Sequence, residues 1–326
     1  MLIVLGASVA VAVLADAVFT VIHATEHKGP IARTMLRIGR AGVHRLPRRL
    51  RTAAGIVITF MIVLSWTLGL WLAWTIALLD PSIAIQTARG VPAPDLLDAI
   101  YVAGFAIFTL GTGDLEAGTQ VGRLVTVAAS ATGLFTVTLE VTYLVSLTSA
   151  ISHERSTARQ AYALGHDVST ILRRAWDGES FRPIEPYLQE VARDLSTLAE
   201  RHRLFPVLHD VLPNERRMAL GPSLLALSDA CEVMAHAVGQ PAALRTLSYE
   251  QVTEAMDAVL RGLPRREREV SPPAAPDTAA ALAVVGEVPA RTVQETDVVA
   301  ARRRGLFALA MEEGWRDAAY EVVRVS

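Results

Sequence analysis

The segment best suited to bind an ion is FTLGTGDL, residues 108–115. Two glycines, Gly111 and Gly113, flank a threonine within it. Thr109 places a hydroxyl group before them, and Asp114 places a carboxylate after them. Residues of these types occur in ordinary turns, in cradles for phosphate groups and in the lining of ion pathways. The segment by itself leaves these three interpretations open.

The spacing of the glycines has a physical meaning for the third interpretation. Successive backbone carbonyls point toward one axis when alternate residues adopt left-handed backbone angles, which glycine does at little cost. Such carbonyls can replace the water shell of a cation. The oxygen atoms available for this are the Thr109 hydroxyl and the carbonyls of Thr109, Leu110, Gly111 and Thr112.

Three apolar segments place FTLGTGDL between membrane spans. Residues 53–79 carry no charged side chain and are long enough to cross a hydrocarbon core of about 30 Å as a helix. Residues 2–22 and 121–151 are the other candidates. We expect residues 2–22 to be a span rather than a cleaved signal peptide, because MLIVLG, residues 1–6, lacks the basic residues of a signal peptide's first region.

The charge of the loops predicts the orientation of the spans. Residues 23–52 contain eight lysines and arginines against one glutamate, so the positive-inside rule places this loop in the cytoplasm. Residues 80–120 then face the exterior, and residues 152–326 lie in the cytoplasm. Trp71 and Trp74, near the outer end of their span, are predicted to belong to an aromatic belt.

The loop between the last two spans has an internal organisation. Residues 80–94 contain three prolines and a glycine, which predicts an irregular loop. Residues 96–109 are too apolar for an exposed loop and too short to span, which indicates a re-entrant half-helix. Non-helical backbone at membrane depth is tolerated only where protein buries it or it lines a cavity. By elimination, FTLGTGDL is predicted to line a cavity.

Residues 98–114, DAIYVAGFAIFTLGTGD, resemble the pore loop of tetrameric potassium channels, whose usual filter is T-V-G-Y-G-D. QVGRLVTV, residues 120–127, resembles the Gly-Arg start of their inner helix, and Gly133 falls where many carry a gating-hinge glycine. The resemblance covers residues 95–151 and implies a channel of the two-transmembrane/pore type. It implies that Tyr101 on the pore helix can hydrogen-bond Asp114 behind the filter. The implied filter is Thr109, Leu110, Gly111, Thr112 and Gly113.

Two residues depart from the family pattern. Thr112 stands where the filter tyrosine is usual, and Phe108 stands where a hydroxyl residue usually precedes the filter threonine. The resemblance implies that this tyrosine braces the filter against aromatic residues of the pore helix. Without it, both the rigidity of the filter and its preference for potassium over sodium become open questions. A nonselective cation channel of the same fold is therefore the first alternative.

Two acids lie inside predicted spans, where a carboxylate is costly. Glu140 follows Gly133 by seven residues, on nearly the same helix face. It could line the cavity below the filter and attract cations, or it could pair with a basic or hydroxyl group on a neighbouring helix. Asp16 has no obvious partner in the sequence, and local hydrogen bonding is its simplest explanation.

The cytoplasmic part is predicted to be helical. After residue 151 the inner helix is expected to continue, followed by four or five helices with apolar residues at i, i+3 and i+4. Residues 263–280 are charged and rich in Pro and Ala, which predicts a flexible linker. His202 and His209 could share a helix face but lack a third ligand, so no metal is expected beyond the permeant cation. Cys231, the one cysteine, is predicted to be a small buried residue.

The sequence therefore predicts an all-α membrane protein with a re-entrant pore helix, a filter loop and a helical cytoplasmic domain. The predicted parts are a span and basic loop at 1–52, a pore domain at 53–151, a helical domain at 152–262, the linker at 263–280 and a helical segment at 281–326. We expect a homotetrameric, multi-pass plasma-membrane channel for potassium, or alternatively sodium, without a cofactor. No feature suggests enzyme activity or nucleic-acid binding, and a cytoplasmic regulator would be unknown. The alternative from another class is a membrane-anchored signalling or scaffold protein that does not conduct.

Overall fold

The computed structural model describes residues 1–22, 29–43, 54–92, 95–111, 114–237, 247–262, 271–286 and 296–315. Most of the described chain is helical, and three of the described helices are long and apolar enough to cross a membrane. The prediction of an all-α membrane protein is therefore confirmed. The chain divides into two compact units, Met1–Leu147 and Thr148–Ser326.

The described residues at the start of the first unit form helices α1 (Leu2–Ile22), α2 (Pro30–Val43) and α3 (Ala54–Leu78). The bounds of α1 and α3 agree closely with the predicted spans. The prediction that residues 23–52 form only a loop was wrong, because α2 lies within them. Gly39 of α2 approaches the Ile58 side chain of α3 so closely that a Cβ atom there would lie 2.5 Å from it. This close approach packs α2 against α3.

One stripe of α3 faces away from the rest of the chain. Its exposed members recur every four residues, which places them on one helix face. Buried residues such as Ile58, Trp66 and Leu70 occupy the opposite face. The exposed stripe is therefore the side of α3 that is suited to contact lipid: Phe60, Leu64, Leu68 and Leu72.

The segment between α3 and the last span contains β1 (Ile85–Thr87), α4 (Leu96–Ile107) and β2 (Leu115–Ala117). The half-helix predicted at 96–109 is thus present as α4. The two strands pair antiparallel, with Gln86 opposite Glu116. The prediction that residues 80–94 form an irregular loop was therefore wrong in part, because β1 lies within them. Strand β1 has no local sequence signal because its pairing partner lies about thirty residues further along the chain.

The last span is part of a single helix, α5 (Gln120–Leu164), of 45 residues. At 1.5 Å per residue it is about 68 Å long, more than twice the thickness of a hydrocarbon core. This agrees with the predicted continuation of the inner helix. Thr119 caps its start by accepting a hydrogen bond from the Gly122 N–H at 3.1 Å. A Cβ atom on Gly122 would lie 2.8 Å from the side chains of Ala117 and Ile83, so only glycine fits there without a shift.

The second unit contains the end of α5 and further helices among its described residues. These pack around one apolar core, to which Phe181, Leu195 and Leu227 contribute fully buried side chains. Cys231 is also completely buried, as predicted, and burial raises the pKa of its thiol to about 12. The helices are α6 (Val168–Ala175), α7 (Glu185–Leu204), α8 (Leu220–Ala235), α9 (Leu247–Arg261), α10 (Thr278–Leu282) and α11 (Asp297–Glu312).

The predicted linker is attached to this unit over its described part, 271–280. Arg303 of α11 donates hydrogen bonds to the carbonyls of Pro273 and Ala274 at 3.2 and 3.3 Å. The same guanidinium forms a buried ion pair with Asp229 of α8 at 2.7 Å. Residues 278–280 belong to α10, which Asp277 caps. The described half of the segment is therefore not a free linker, and residues 263–270 lie outside the described residues.

His202 lies at the end of α7 and is almost fully buried. Its ring stands edge-on to the ring of His209, with centroids 4.6 Å apart. The Glu154 carboxylate of α5 lies 3.7 Å from its Nε2 atom. His202 and His209 are thus close to one another. They do not share a helix face, because His209 lies in the 3-10 turn Pro206–Asp210 that follows α7.

Glu313, which directly follows α11, caps the start of α8. Its two carboxylate oxygens accept hydrogen bonds from the N–H groups of Leu220 and Gly221, both at 2.8 Å. Burial nevertheless raises the pKa of this carboxyl to about 8, above the ordinary value of 4.5. The folded chain therefore holds a proton on Glu313 over a pH range in which the unfolded chain has lost it.

The free energy of unfolding should consequently fall as the pH rises from about 4.5 to about 8. Each unit of pKa shift corresponds to about 1.4 kcal/mol, so the change is of the order of a few kcal/mol. Glu313→Gln carries no titrating group and should remove this part of the pH dependence. Thermal unfolding of the full chain in detergent at pH 5 and pH 8.5 would measure the effect. Equal slopes in both proteins would contradict the prediction.

Candidate ion pathway

Helix α4 begins and ends with defined caps. The Asp95 carboxylate accepts a hydrogen bond from the Leu96 N–H at 2.6 Å at its start. At its end, the N–H of Leu110 donates to the Phe105 carbonyl at 2.9 Å and that of Thr109 donates to the Ala106 carbonyl at 3.2 Å. This pair of bonds is the Schellman motif, which requires a left-handed residue just after the helix. The candidate filter therefore leaves the helix at a fixed angle.

Thr109 is the residue that adopts this left-handed conformation, with φ of 52°. A β-branched residue in this region is strained by about 1–2 kcal/mol, and such strain is concentrated at functional sites. Gly111 is also left-handed, with φ of 70°. Left-handed angles thus alternate at 109 and 111, which begins two residues before the first of the two glycines. Thr112 and Gly113 lie outside the described residues.

Asp114, directly after the candidate filter, is held by both its side chain and its backbone. The Tyr101 hydroxyl of α4 lies 3.1 and 3.2 Å from its two carboxylate oxygens and donates to them. The Asp114 carbonyl accepts a hydrogen bond from the Ala88 N–H at 3.1 Å. The contact between Tyr101 and Asp114 that the resemblance implies is present. The hydrogen bond between Ala88 and Asp114 extends the pairing of β1 with β2. Both ends of the candidate filter are therefore attached to ordered structure.

The indole N–H groups of Trp71 and Trp74 of α3 bond to neighbouring helices, and the predicted aromatic belt stays a prediction. The Trp71 indole N–H donates to the Ile100 carbonyl of α4 at 2.9 Å. The Trp74 indole N–H donates to the Thr132 hydroxyl of α5 at 2.9 Å. Inside the bundle each indole N–H needs a partner, and these oxygens supply it. The two tryptophans thus fix α4 and α5 to α3.

Trp71 also contacts the residue that precedes the candidate filter. Its ring and that of Phe108 stand edge to face, with centroids 6.0 Å apart. A Cβ atom on Gly104 would lie 3.1 Å from the Trp71 indole, so the glycine allows the close approach. The sequence argument missed Trp71 as a residue that positions the site. The signal available was an aromatic residue at 108 with a glycine one helical turn earlier, at 104.

Gly133 of α5 packs against the backbone at the end of α4. A Cβ atom at this position would lie 2.3 Å from the Ile107 carbonyl oxygen and 2.6 Å from the Ile107 Cα atom. Both contacts are with backbone, which cannot rotate away as a side chain can. The glycine predicted as a hinge is therefore the residue that lets α5 touch the end of α4.

Glu140 is buried between helices α5 and α3. Its Oε1 atom accepts a hydrogen bond from the Thr67 hydroxyl of α3 at 2.7 Å, and the residue is 7% exposed. This is the second of the two arrangements considered from the sequence, a hydroxyl partner on a neighbouring helix. A buried carboxylate with such a partner can hold two helices together. It does not project into open space within the chain described here.

Comparison with known proteins supports a channel over the first unit. Residues 54–150 match a protein family described as ion channel. The chain is 32% identical over 198 residues to the uncharacterized membrane protein YdjJ of Bacillus subtilis (strain 168). That similarity covers 60% of this chain and 58% of the relative, so the chain spans little more than half of the relative's length. No solved structure matches the chain significantly.

Proposed function

We propose that the protein is a cation channel whose filter is formed by residues 109–113. The observation that supports this most strongly is the backbone of the described part of that segment. Left-handed angles at Thr109 and Gly111 let successive carbonyls point in a common direction, which a cation site made of carbonyls requires. Capping of α4 before the segment and the attachment of Asp114 after it hold that backbone in place.

One chain supplies one filter loop, so a ring of carbonyls requires several copies related by rotational symmetry. We propose a homotetramer. Exposed apolar residues of α5 follow one another at intervals of three, seven or four residues, which places them on one helix face. In a tetramer this face would meet the neighbouring subunits or line the pore: Leu124, Val127, Leu134, Val141 and Val145.

Potassium is the ion that we propose the filter carries. Thr112 stands where the channels that this chain resembles carry the tyrosine that braces the filter. The edge-to-face contact of Phe108 with Trp71 offers a different brace, because it fixes the residue immediately before the filter to the outer helix. A nonselective cation channel remains the second candidate, favoured by Thr112.

Gating is proposed to involve bending of α5 near Gly133, in a plasma membrane with the second unit on the cytoplasmic side. We propose that Glu140 acts mainly through Thr67 to hold α5 against α3, and not as an acid that lines the cavity. Support for the cytoplasmic orientation comes from the basic residues between α1 and α3, which the positive-inside rule places in the cytoplasm.

Ion flux into liposomes that contain the purified protein would test the proposal. Potassium, sodium and a larger organic cation would be offered in turn, and protein-free liposomes would serve as the control. We expect flux of potassium to exceed that of sodium, with none of the organic cation. Equal flux of potassium and sodium would support the nonselective channel. Absence of all flux would contradict both channel proposals and favour a signalling or scaffold role.

A further inference from the structure

Helix α2 differs from the spans in its distribution of side chains. Ala32 and Gly39 are buried, and Gly39 lies against Ile58 of α3. Arg33 and Arg37 are exposed, and because they are four residues apart they lie next to each other on one side of the helix. Ile38 is also exposed and lies about 100° further around the helix axis than Arg37. The helix therefore presents two neighbouring arginines and an exposed isoleucine in addition to its packed side.

The start of α2 is fixed by Asp16, a buried carboxylate within the span α1. Asp16 accepts hydrogen bonds from the backbone N–H groups of Ile31 and Ala32 at 2.8 and 3.3 Å. It also accepts one from the buried indole N–H of Trp66 on α3 at 2.8 Å. One carboxylate thus ties three helices of the unit together, and its negative charge lies at the positive end of the α2 dipole.

Gly29 shows how closely α2 is joined to α1. A Cβ atom at this position would lie 2.0 Å from the Asp16 Oδ1 atom, so a larger residue would displace the carboxylate. Asp16 precedes the last residue of α1 by six positions, which corresponds to about 9 Å along the helix. The start of α2 therefore lies about that far inside the end of the span. Amphipathic helices at a bilayer surface are buried to a depth of about 5–10 Å.

We propose that α2 is an interfacial helix whose Arg33 and Arg37 bind the phosphate groups of anionic lipids. Both arginines are exposed in a chain that crosses the membrane, at the level where one leaflet's headgroups lie. Two adjacent guanidinium groups suit a phosphate, because each offers paired N–H donors to its oxygens. Ile38 inserts among the acyl chains beside them. Asp16 is the positioning residue that sets the depth of the helix, since it holds the start of α2 to α1 and α3.

Charge complementarity favours anionic lipid over other partners. Basic residues close to an anionic membrane surface contribute about 1 kcal/mol each to membrane binding, which is roughly a fivefold change in affinity. Removal of both arginines should therefore lower the preference for anionic over zwitterionic lipid about thirtyfold. The proposal does not depend on ion conduction, so its test is separate from that of the channel.

Native mass spectrometry of the purified full chain would measure how strongly phosphatidylglycerol is retained relative to phosphatidylcholine. The variant is Arg33→Gln with Arg37→Gln. A matched control, Arg173→Gln with Arg193→Gln, removes the same charge from two exposed helix arginines of the second unit. We expect the first variant to lose most of the preference for phosphatidylglycerol and the control to keep it. Excess soluble glycerol phosphate should not displace the lipid.

Asp16→Asn provides a second measurement, because it keeps the size of the side chain and removes the charge that caps α2. We expect it to lower the phosphatidylglycerol preference even though both arginines are present. An unchanged preference in the arginine variant would overturn the proposal, as would an equal loss in the control. Displacement of the lipid by glycerol phosphate would show that α2 binds phosphate groups in general, which would overturn the assignment to a membrane surface.

Discussion

Gly111→Ala is expected to lower cation flux at least a hundredfold. Gly111 has φ of 70°, and an L-residue with a side chain is destabilised there by about 1–2 kcal/mol. A Cβ atom at this position would meet no other atom within 4 Å, so the expected cause is backbone strain and not a clash. Alanine would shift the backbone to negative φ and turn a carbonyl away from the pathway. In a tetramer the cost applies to four copies, about 4 kcal/mol or more in total.

Gly90→Ala is the matched control for this prediction. Gly90 also has positive φ, 80°, and a Cβ atom there would likewise meet open space. It lies just after β1, outside the candidate filter. The control should therefore lose a similar amount of stability and keep its flux. Flux measurements in liposomes, with thermal unfolding of the same samples, would separate the two effects. Equal flux in the wild-type protein and Gly111→Ala would rule out this filter assignment.

Gly133→Ala should lower both flux and stability. Its added methyl group would overlap the Ile107 carbonyl oxygen at 2.3 Å, and overpacking of this kind costs about 1–3 kcal/mol. Helix α5 must then move away from the end of α4, where the Schellman motif sets the direction of the candidate filter. We expect flux to fall about tenfold or more, because a free-energy cost in this range changes an equilibrium by about that factor. Thermal unfolding in detergent would measure the loss of stability.

A second-site variant distinguishes packing from hinge flexibility. Ala131 is exposed on the same helix, two residues before Gly133. Ala131→Gly combined with Gly133→Ala restores a glycine to this part of α5 without reopening the space beside Ile107. If close packing dominates, flux should stay low in the double variant. Recovery of flux would instead show that bending of α5 is the main requirement at this position.

The main features of the first unit follow from local sequence. The spans were predictable because apolar length is a property of a single segment, and α1 and α3 end within a residue or two of their predicted limits. The half-helix α4 follows from the same argument. The resemblance placed Tyr101 next to Asp114, and the two are hydrogen-bonded. The positions of Thr112 and Gly113 in the filter, and the roles of the site residues, stay predictions.

Other features depend on residues that are distant in sequence. Asp16 had no visible partner because Trp66 lies 50 positions away and the start of α2 was predicted as a loop. Glu140 accepts a hydrogen bond from the hydroxyl of Thr67, which lies 73 positions earlier in the chain. This contact favours the second of the two arrangements that the sequence left open, a hydroxyl partner on a neighbouring helix. Trp71 and Trp74 were predicted from their place along the span alone, and the structure shows that their N–H groups bond to α4 and α5. Hydropathy reports depth and does not report the direction of a side chain.

The sequence by itself determined that the chain crosses a membrane and where a filter-like segment lies between its spans, since length, hydropathy and glycine spacing are local. The tertiary structure decided what holds that segment. Thr109 takes the strained left-handed position because the end of α4 requires one, and glycine spacing could not indicate a threonine there. Strands β1 and β2 fix the other end through backbone hydrogen bonds, which carry almost no sequence signal. The first is a local backbone effect and the second joins strands about thirty residues apart, and residue types indicate neither.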